Sequence, residues 1–361
     1  MTVRDLLNEG RQLLLTAGED TSIAVTEIRG DSFKLVQRMS DHLSSVHCVA
    51  HFQKYFVSGG GRSELCLWSW RGEEFALLSS YRDAESVTDV RYVSLSLSKL
   101  TSDQLLIFGS RSDGVIRCLL FKNERLYPLD VELYSHSSSY FTGVKCFSNP
   151  PIVIAVSTSG RLHLWDNLSI DEAIDGCAEL SIDCRENNPE IIDPFRLSKW
   201  ESERKRKGKK DKIGQRAEKS RFLPKFTSAV KNHGCSALEV CYCEKDKHLT
   251  AFVGSESGEI TVCNFVLKGG TWEVLSEHCS FSVHVSTVYD IKLNHTLCTL
   301  YSVSMDQRLC SWSYTDKKIE LKTVKMTDVA DPSSICILTD DLGNEKCKIA
   351  VSGIGVEVIE I

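Results

Sequence analysis

One short unit recurs along this chain and constrains its fold more than any other feature. A strand ending in small residues, a polar turn and a second, alternating strand appear in TAGEDTSIAVT (16–26), SGGGRSELCLW (58–68) and FGSRSDGVIRC (108–118). The unit returns in AVSTSGRLHLW (155–165), VGSESGEITVC (253–263) and SVSMDQRLCSW (302–312), with a degenerate copy, VSGIGVEVIEI, at 351–361. From Thr16 to Ser58, Phe108, Ala155, Val253, Ser302 and Val351 the successive starts lie 42, 50, 47, 98, 49 and 49 residues apart. All but one of these intervals match the length of one four-stranded blade of a β-propeller.

Each position in the unit has a physical reason. The third residue is always small (Gly18, Gly60, Ser110, Ser157, Ser255, Ser304, Gly353), which suits a crowded place beside a central channel. The polar turn reverses the chain into a hairpin. Alternation such as Leu162-His163-Leu164 marks a half-buried strand rather than a helix. Trp68, Trp165 and Trp312 close their units and are expected to fill the space between blades. The fold class expected is all-β, a propeller of about seven four-stranded blades with a charged insertion.

The 98-residue interval holds that insertion. Residues 1–166 are assigned to blades one to four, 167–228 to a disordered segment, and 229–361 to blades five to seven of the same propeller. Between Asp171 and Asp193 eight acids face Arg185 alone; between Glu201 and Lys225 eleven Lys and Arg face four acids. Charge blocks of this kind are commonly disordered interaction segments. Arg204, Lys205, Arg206, Lys207, Lys209 and Lys210 form the basic core. They admit contact with RNA phosphates, a nuclear localisation signal, or a solvated loop with no ligand. At the chain ends, Val3-Arg4-Asp5-Leu6 reads as the innermost strand of the first blade and Ile361 closes the third strand of the last. The outer strand of the last blade is therefore expected to be missing and the chain to belong to a longer protein.

Composition narrows the function. A net charge of −6 disfavours a general nucleic-acid coat, so any RNA contact must be local. The 15 cysteines share no spacing, and Cys241-x-Cys243 has no second pair to complete a zinc site, so no metal, no cofactor and no disulfide framework are expected. Cys66, Cys118, Cys263 and Cys310 lie in strand-like runs as small buried hydrophobes. The start of the chain has no apolar signal-peptide core and no window spans a membrane, which points to a cytoplasmic protein. Gly59-Gly60-Gly61-Arg62-Ser63 lacks the Gly-Lys-Ser/Thr ending of a phosphate loop, and no nucleophile elbow, zinc helix or dinucleotide fingerprint occurs. An enzyme is not expected.

His42-x-x-x-Val46, His233 before Leu238 and His284-x-x-x-Val288 precede three of the units. With Ser58 and Trp68, and with Ser302 and Trp312, this pattern resembles the WD-repeat family; a literal Trp-Asp pair stands at Trp165-Asp166. The resemblance implies that these histidines are structural, each in a buried hydrogen-bond network with Ser, Asp and Trp partners. It also implies that repeats three and seven, which lack the His, hold their loops less firmly. Read together, LLLTAGEDTSIAV, HLSSVHCVAHFQKYFVSGGGRSELCLW, HGCSALEV, GSESGEITV and HVSTVYDIKLNHTLCTLYSVSMDQRLCSW look like the C-terminal propeller of the large WD-repeat proteins that partner a tRNA 2′-O-methyltransferase. That likeness implies a non-catalytic scaffold that binds the methyltransferase, and through it tRNA, for ribose methylation at the anticodon wobble position. A generic protein-protein adaptor, such as a ubiquitin-ligase substrate receptor, is the alternative.

Overall fold

The computed structural model describes residues 2–3, 12–29, 32–83, 89–101, 104–135, 139–148, 151–166, 168, 220–230, 233–243, 245–275, 279–315, 318–338 and 347–361. Among these residues there is no helix; they form seven sheets, antiparallel but for one added strand. Blade 1 is Thr2–Val3, Gln12–Ala17, Ile23–Arg29 and Ser32–Met39, and blade 2 is Val46–Phe52, Tyr55–Gly60, Glu64–Trp70 and Phe75–Arg82. Blade 3 comprises Tyr92–Lys99, Leu105–Arg111, Val115–Lys122 and Arg125–Tyr134, with Ser220–Phe222 added in parallel at its outer edge. Blade 4 runs Phe141–Ser148, Pro151–Ser157, Arg161–Asp166 and then, after the long interval, Phe226–Ala229. Blade 5 is Cys235–Cys243, His248–Ser255, Glu259–Lys268 and Thr271–Val274, with Cys279–Ser282 also on the third strand. Blade 6 is Val288–Asn294, Thr299–Ser304, Arg308–Thr315 and Lys318–Met326.

Blade 7 differs from the other blades and, as expected for the last unit, has no outer strand among the described residues. Ala330–Leu338 pairs with Lys348–Glu360, which reverses at Gly355 (φ 109°) so that Cys347 and Ile361 exchange both backbone hydrogen bonds, at 3.0 and 2.8 Å. Three strand segments result, and no fourth occurs among the described residues. A second difference concerns the 167–228 stretch. Two of its segments are strands, because Phe226 and Thr227 pair with Leu164 and His163 as the outer edge of blade 4. The basic core from Arg204 to Lys210, with Arg204, Lys205, Arg206, Lys207, Lys209 and Lys210, lies outside the described residues.

The ring is held by packing between blades. Seven clusters of buried apolar side chains occur, one at each blade-blade interface. The alternation of each strand sends one set of side chains to the preceding blade and the other to the next. Trp68, Trp165 and Trp312 sit in the interfaces between blades 1 and 2, 3 and 4, and 5 and 6. The ring closes where Leu14 and Ile28 of blade 1 meet Cys336, Leu338 and Ala350 of blade 7.

Around the centre, side-chain hydroxyls and one carboxylate stitch neighbouring inner strands together. Ser94 and Ser96 Oγ accept the Val144 and Cys146 N–H groups at 3.2 and 3.0 Å. Thr142 and Ser236 donate to the carbonyls of Cys235 and Val288 at 2.8 and 2.6 Å. Asp290 takes the Ser334 hydroxyl and the Ile335 N–H at 2.9 and 3.0 Å. Such bonds satisfy buried backbone groups at positions where no strand ladder reaches.

Candidate interaction surface

The expected histidine networks form in two blades. In blade 6, His284 Nδ1 lies 3.2 Å from Asp306, His284 Nε2 lies 2.9 Å from Ser302 Oγ, and Trp312 Nε1 donates to the same Oγ at 3.0 Å. The indole can only donate and the carboxylate can only accept, which fixes every proton between them. Trp312 N–H points to Ser302, the Ser302 hydroxyl to His284 Nε2, and His284 Nδ1–H to Asp306. Burial pushes the His284 imidazole below its ordinary pKa and outweighs the pull of Asp306, so the chain runs through a neutral ring. Burial also tends to raise Asp306, but the N–H groups of Val285 and Arg308, with His284, hold it below the usual carboxylate range.

Blade 2 repeats the arrangement with a longer acid. His42 Nε2 is 2.6 Å from Ser58 Oγ, Trp68 Nε1 donates to Ser58 Oγ at 2.8 Å, and His42 Nδ1 is 3.1 Å from Glu64. Glu64 begins the third strand, whereas Asp306 sits in the turn before it; the extra methylene spans the difference. Cys66 Sγ stands 4.0 Å from His42 Nδ1, which brings three donor atoms of His42, Glu64 and Cys66 within 4.8 Å of one another. Both imidazole nitrogens already have partners, and burial pushes the Cys66 thiol up, against the thiolate a metal would need. Hydrogen bonding accounts for this cluster.

The other blades use different solutions. In blade 4 the position of Ser58 and Ser302 is Ala155, so the Trp165 indole turns to the Phe222 carbonyl at 3.3 Å. His163 instead bonds Ser157 and Thr227 at 3.2 and 3.3 Å. The Trp-Asp pair has a separate role, because Asp166 accepts the indole N–H of Trp272 in blade 5 at 3.0 Å. His233 is exposed and joins no such network, contrary to the expectation that it matches His42 and His284. Blades 3 and 7, expected to hold their loops less firmly, have substitutes. In blade 3, Arg111 binds Asp83 and Asp113, and Arg117 binds Asp83 and Glu132, nearly all away from water. In blade 7, Glu357 accepts the Thr327 hydroxyl and the Asp328 N–H at 2.7 and 2.9 Å. Charges and hydroxyls of this sort carry no repeat signature, so the sequence pattern missed them.

At two of the small third positions the crowding comes from the incoming loop rather than from the channel. A Cβ on Gly60 would stand 2.3 Å from the Ser45 carbonyl oxygen, and one on Gly353 would stand 2.4 Å from that of Asp331. At Ser304 the corresponding carbonyl becomes a partner, the hydroxyl donating to Ser286 O at 2.9 Å, whereas Ser157 and Ser255 bond groups of their own turn.

These networks fix what the loops display. Glu64 accepts the backbone N–H of Leu43, and Asp306 that of Val285, each at 2.9 Å. Each residue directly follows its network histidine, and their side chains point outward, 44% and 75% exposed. Near Val285 the exposed Met305 and Tyr289 lie together, with Tyr289 Oη 3.9 Å from Met305 Sδ. Met326 and Ile354 are exposed on the same face of blades 6 and 7. Exposed apolar side chains mark a protein-docking surface only where they cluster, as Val285, Tyr289 and Met305 do.

No protein-family model matches the sequence, and no curated protein matches it. Among solved structures, the chain is similar to the WD40 β-propeller domain of Doa1, with a TM-score of 0.59 at 14% identity over 100% of this chain and 92% of that one. At that identity the likeness concerns fold alone. With seven sheets around one centre, the chain has the fold of a seven-bladed WD40-type β-propeller.

Proposed function

We propose that this propeller is a non-catalytic docking scaffold whose partner surface is the face displaying Leu43, Val285, Tyr289 and Met305. The carrying observation is the pairing of strong exposure with fixed backbone: Val285 is 75% exposed while its N–H is held by Asp306. Pre-ordered apolar anchors reduce the entropy lost on association. The histidines and the serines they bond are buried, and each serine also takes an indole N–H, so neither group reaches solvent where a substrate would bind.

The finer reading rests on the sequence resemblance. The partner is a tRNA 2′-O-methyltransferase, the complex works on the anticodon wobble ribose in the cytoplasm, and the basic run from Arg204 to Lys210 assists RNA binding. Its test is reconstitution of the full chain with the methyltransferase and tRNA. Association of the two proteins, with wobble-ribose methylation falling when the chain is depleted from cells, supports the reading. Unchanged tRNA methylation together with no association overturns it and leaves the general scaffold.

A further inference from the structure

The opposite face of the ring carries a second constellation. Blade 5's inner strand, Cys235–Cys243, ends on Cys241-x-Cys243. Alternation puts both cysteines on one side of that strand, and Cys241 packs against the cluster shared with blade 6. Blade 6 supplies the turn that faces them. His295 Nδ1 lies 3.9 Å from Cys241 Sγ, and Cys298, in the same turn, has its Sγ 3.7 Å from the His295 carbonyl. The turn is preset, because Asn294 Oδ1 accepts the N–H groups of Thr296 and Leu297 at 3.0 and 3.1 Å. Asp246 approaches from blade 5, with Oδ2 3.3 Å from Cys243 Sγ.

We propose that Cys241, Cys243, Cys298 and His295 form a binding site for a thiophilic divalent cation of the zinc class, clamping blade 5 to blade 6.

The donor set is what such an ion selects: thiolates and one imidazole, with zinc bonds of about 2.3 Å to sulfur and 2.0–2.1 Å to nitrogen. Two such ligands at a tetrahedral angle stand roughly 3.5 Å apart by those bond lengths, close to the 3.9 Å between Cys241 and His295. Cys243 lies two residues along an extended strand, about 6.6 Å between α-carbons; its Sγ stands by Asp246 and that of Cys298 by the His295 carbonyl, so both side chains must rotate toward Cys241 and His295 for a metal to be held. Binding releases the thiol protons to solvent while the imidazole stays neutral. The sequence showed only the Cys-x-Cys half, because His295 and Cys298 come from the next blade.

The test uses the full chain, reduced and stripped of metal, titrated with Co2+ and then Zn2+. The expected result is roughly one equivalent bound with sulfur-to-cobalt charge-transfer absorption and tetrahedral d–d bands. Zn2+ should displace the cobalt and raise the melting temperature. Cys241→Ser with Cys243→Ser should abolish the absorption. His295→Ala, in an exposed turn, should weaken binding at least about tenfold, as loss of metal-site groups does. Cys279→Ser, an exposed thiol outside the cluster, should leave it unchanged. Absence of charge-transfer absorption in the parent chain overturns the proposal, as does absorption that survives the double serine variant or disappears only with Cys66→Ser. A Cys241–Cys298 disulfide that forms readily in air while the reduced chain binds no metal overturns it in favour of a redox pair.

Discussion

Asp306 binds the backbone N–H of Val285 at 2.9 Å and so joins a fully buried network to one of the most exposed apolar side chains in the protein. Removing the acid should affect both stability and binding. Asp306→Ala leaves the His284 Nδ1–H and the Val285 N–H without a partner, and an unsatisfied buried donor costs about 1–3 kcal/mol. Chemical denaturation should show that loss, whereas His233→Ala, at an exposed histidine, should leave the midpoint in place.

The surface residue separates the two effects. Val285→Asp should leave the denaturation midpoint within about 0.5 kcal/mol, because the side chain faces water. Partner affinity should fall by at least about tenfold if Val285 is an anchor. Titration calorimetry with the purified partner reads the change.

Acid sensitivity follows from the depressed pKa of His284. Its folded value lies below the ordinary 6.5, so the stability it contributes is complete above 6.5 and is lost as the pH falls from there toward the lowered value. Asp306, also lowered, adds a second loss as the pH falls below 3.8. Denaturation midpoints followed downward through pH 6.5 should decline more steeply for the parent chain than for His284→Gln, which cannot take up the proton. Parallel curves would refute the assignment.

Gly60→Ala should be costly, with a Cβ 2.3 Å from a backbone oxygen that has no free rotation. Overpacking of this kind costs about 1–3 kcal/mol. Gly269→Ala, where nothing lies within 4 Å and only the left-handed backbone (φ 57°) is disfavoured, should cost less. A thermal shift assay orders the two variants.

Arg117→Ala in blade 3 removes one arginine from Asp83 and the Arg117 ion pair from Glu132. Breaking a buried pair from one side typically costs about 3–5 kcal/mol. Arg117→Ala with Glu132→Gln should recover part of the loss in a double-mutant cycle.

The sequence revealed the blades because each buries one copy of the same hairpin, and the period survives even where the residues drift. Ser58, Trp68, Ser302 and Trp312 could be recognised because the networks need those groups at fixed offsets from a histidine. Trp165 shows the limit: its offset is kept, but Ala155 replaces the serine, and the partner becomes a carbonyl from a strand far along the chain. His233 has the expected spacing yet faces water. The arginines of blade 3, the Glu357 contact of blade 7 and the His295 turn were not legible, since each depends on which side chains a neighbouring strand or blade brings close.

The seam between blades 1 and 7, where Leu14 and Ile28 meet Cys336, Leu338 and Ala350, joins residues about 300 or more positions apart in the sequence. Closing it brings together the most distant segments of any blade-blade interface, and among the described residues its five buried side chains make the smallest of the seven clusters. A small, long-range seam of this kind is expected to close last during folding and to part first in the native protein. Amide hydrogens of Gln12–Ala17 and Ala330–Leu338 should exchange with solvent ahead of those in the interior blades, and a molecule that bridges this gap would act as a brace on the whole ring.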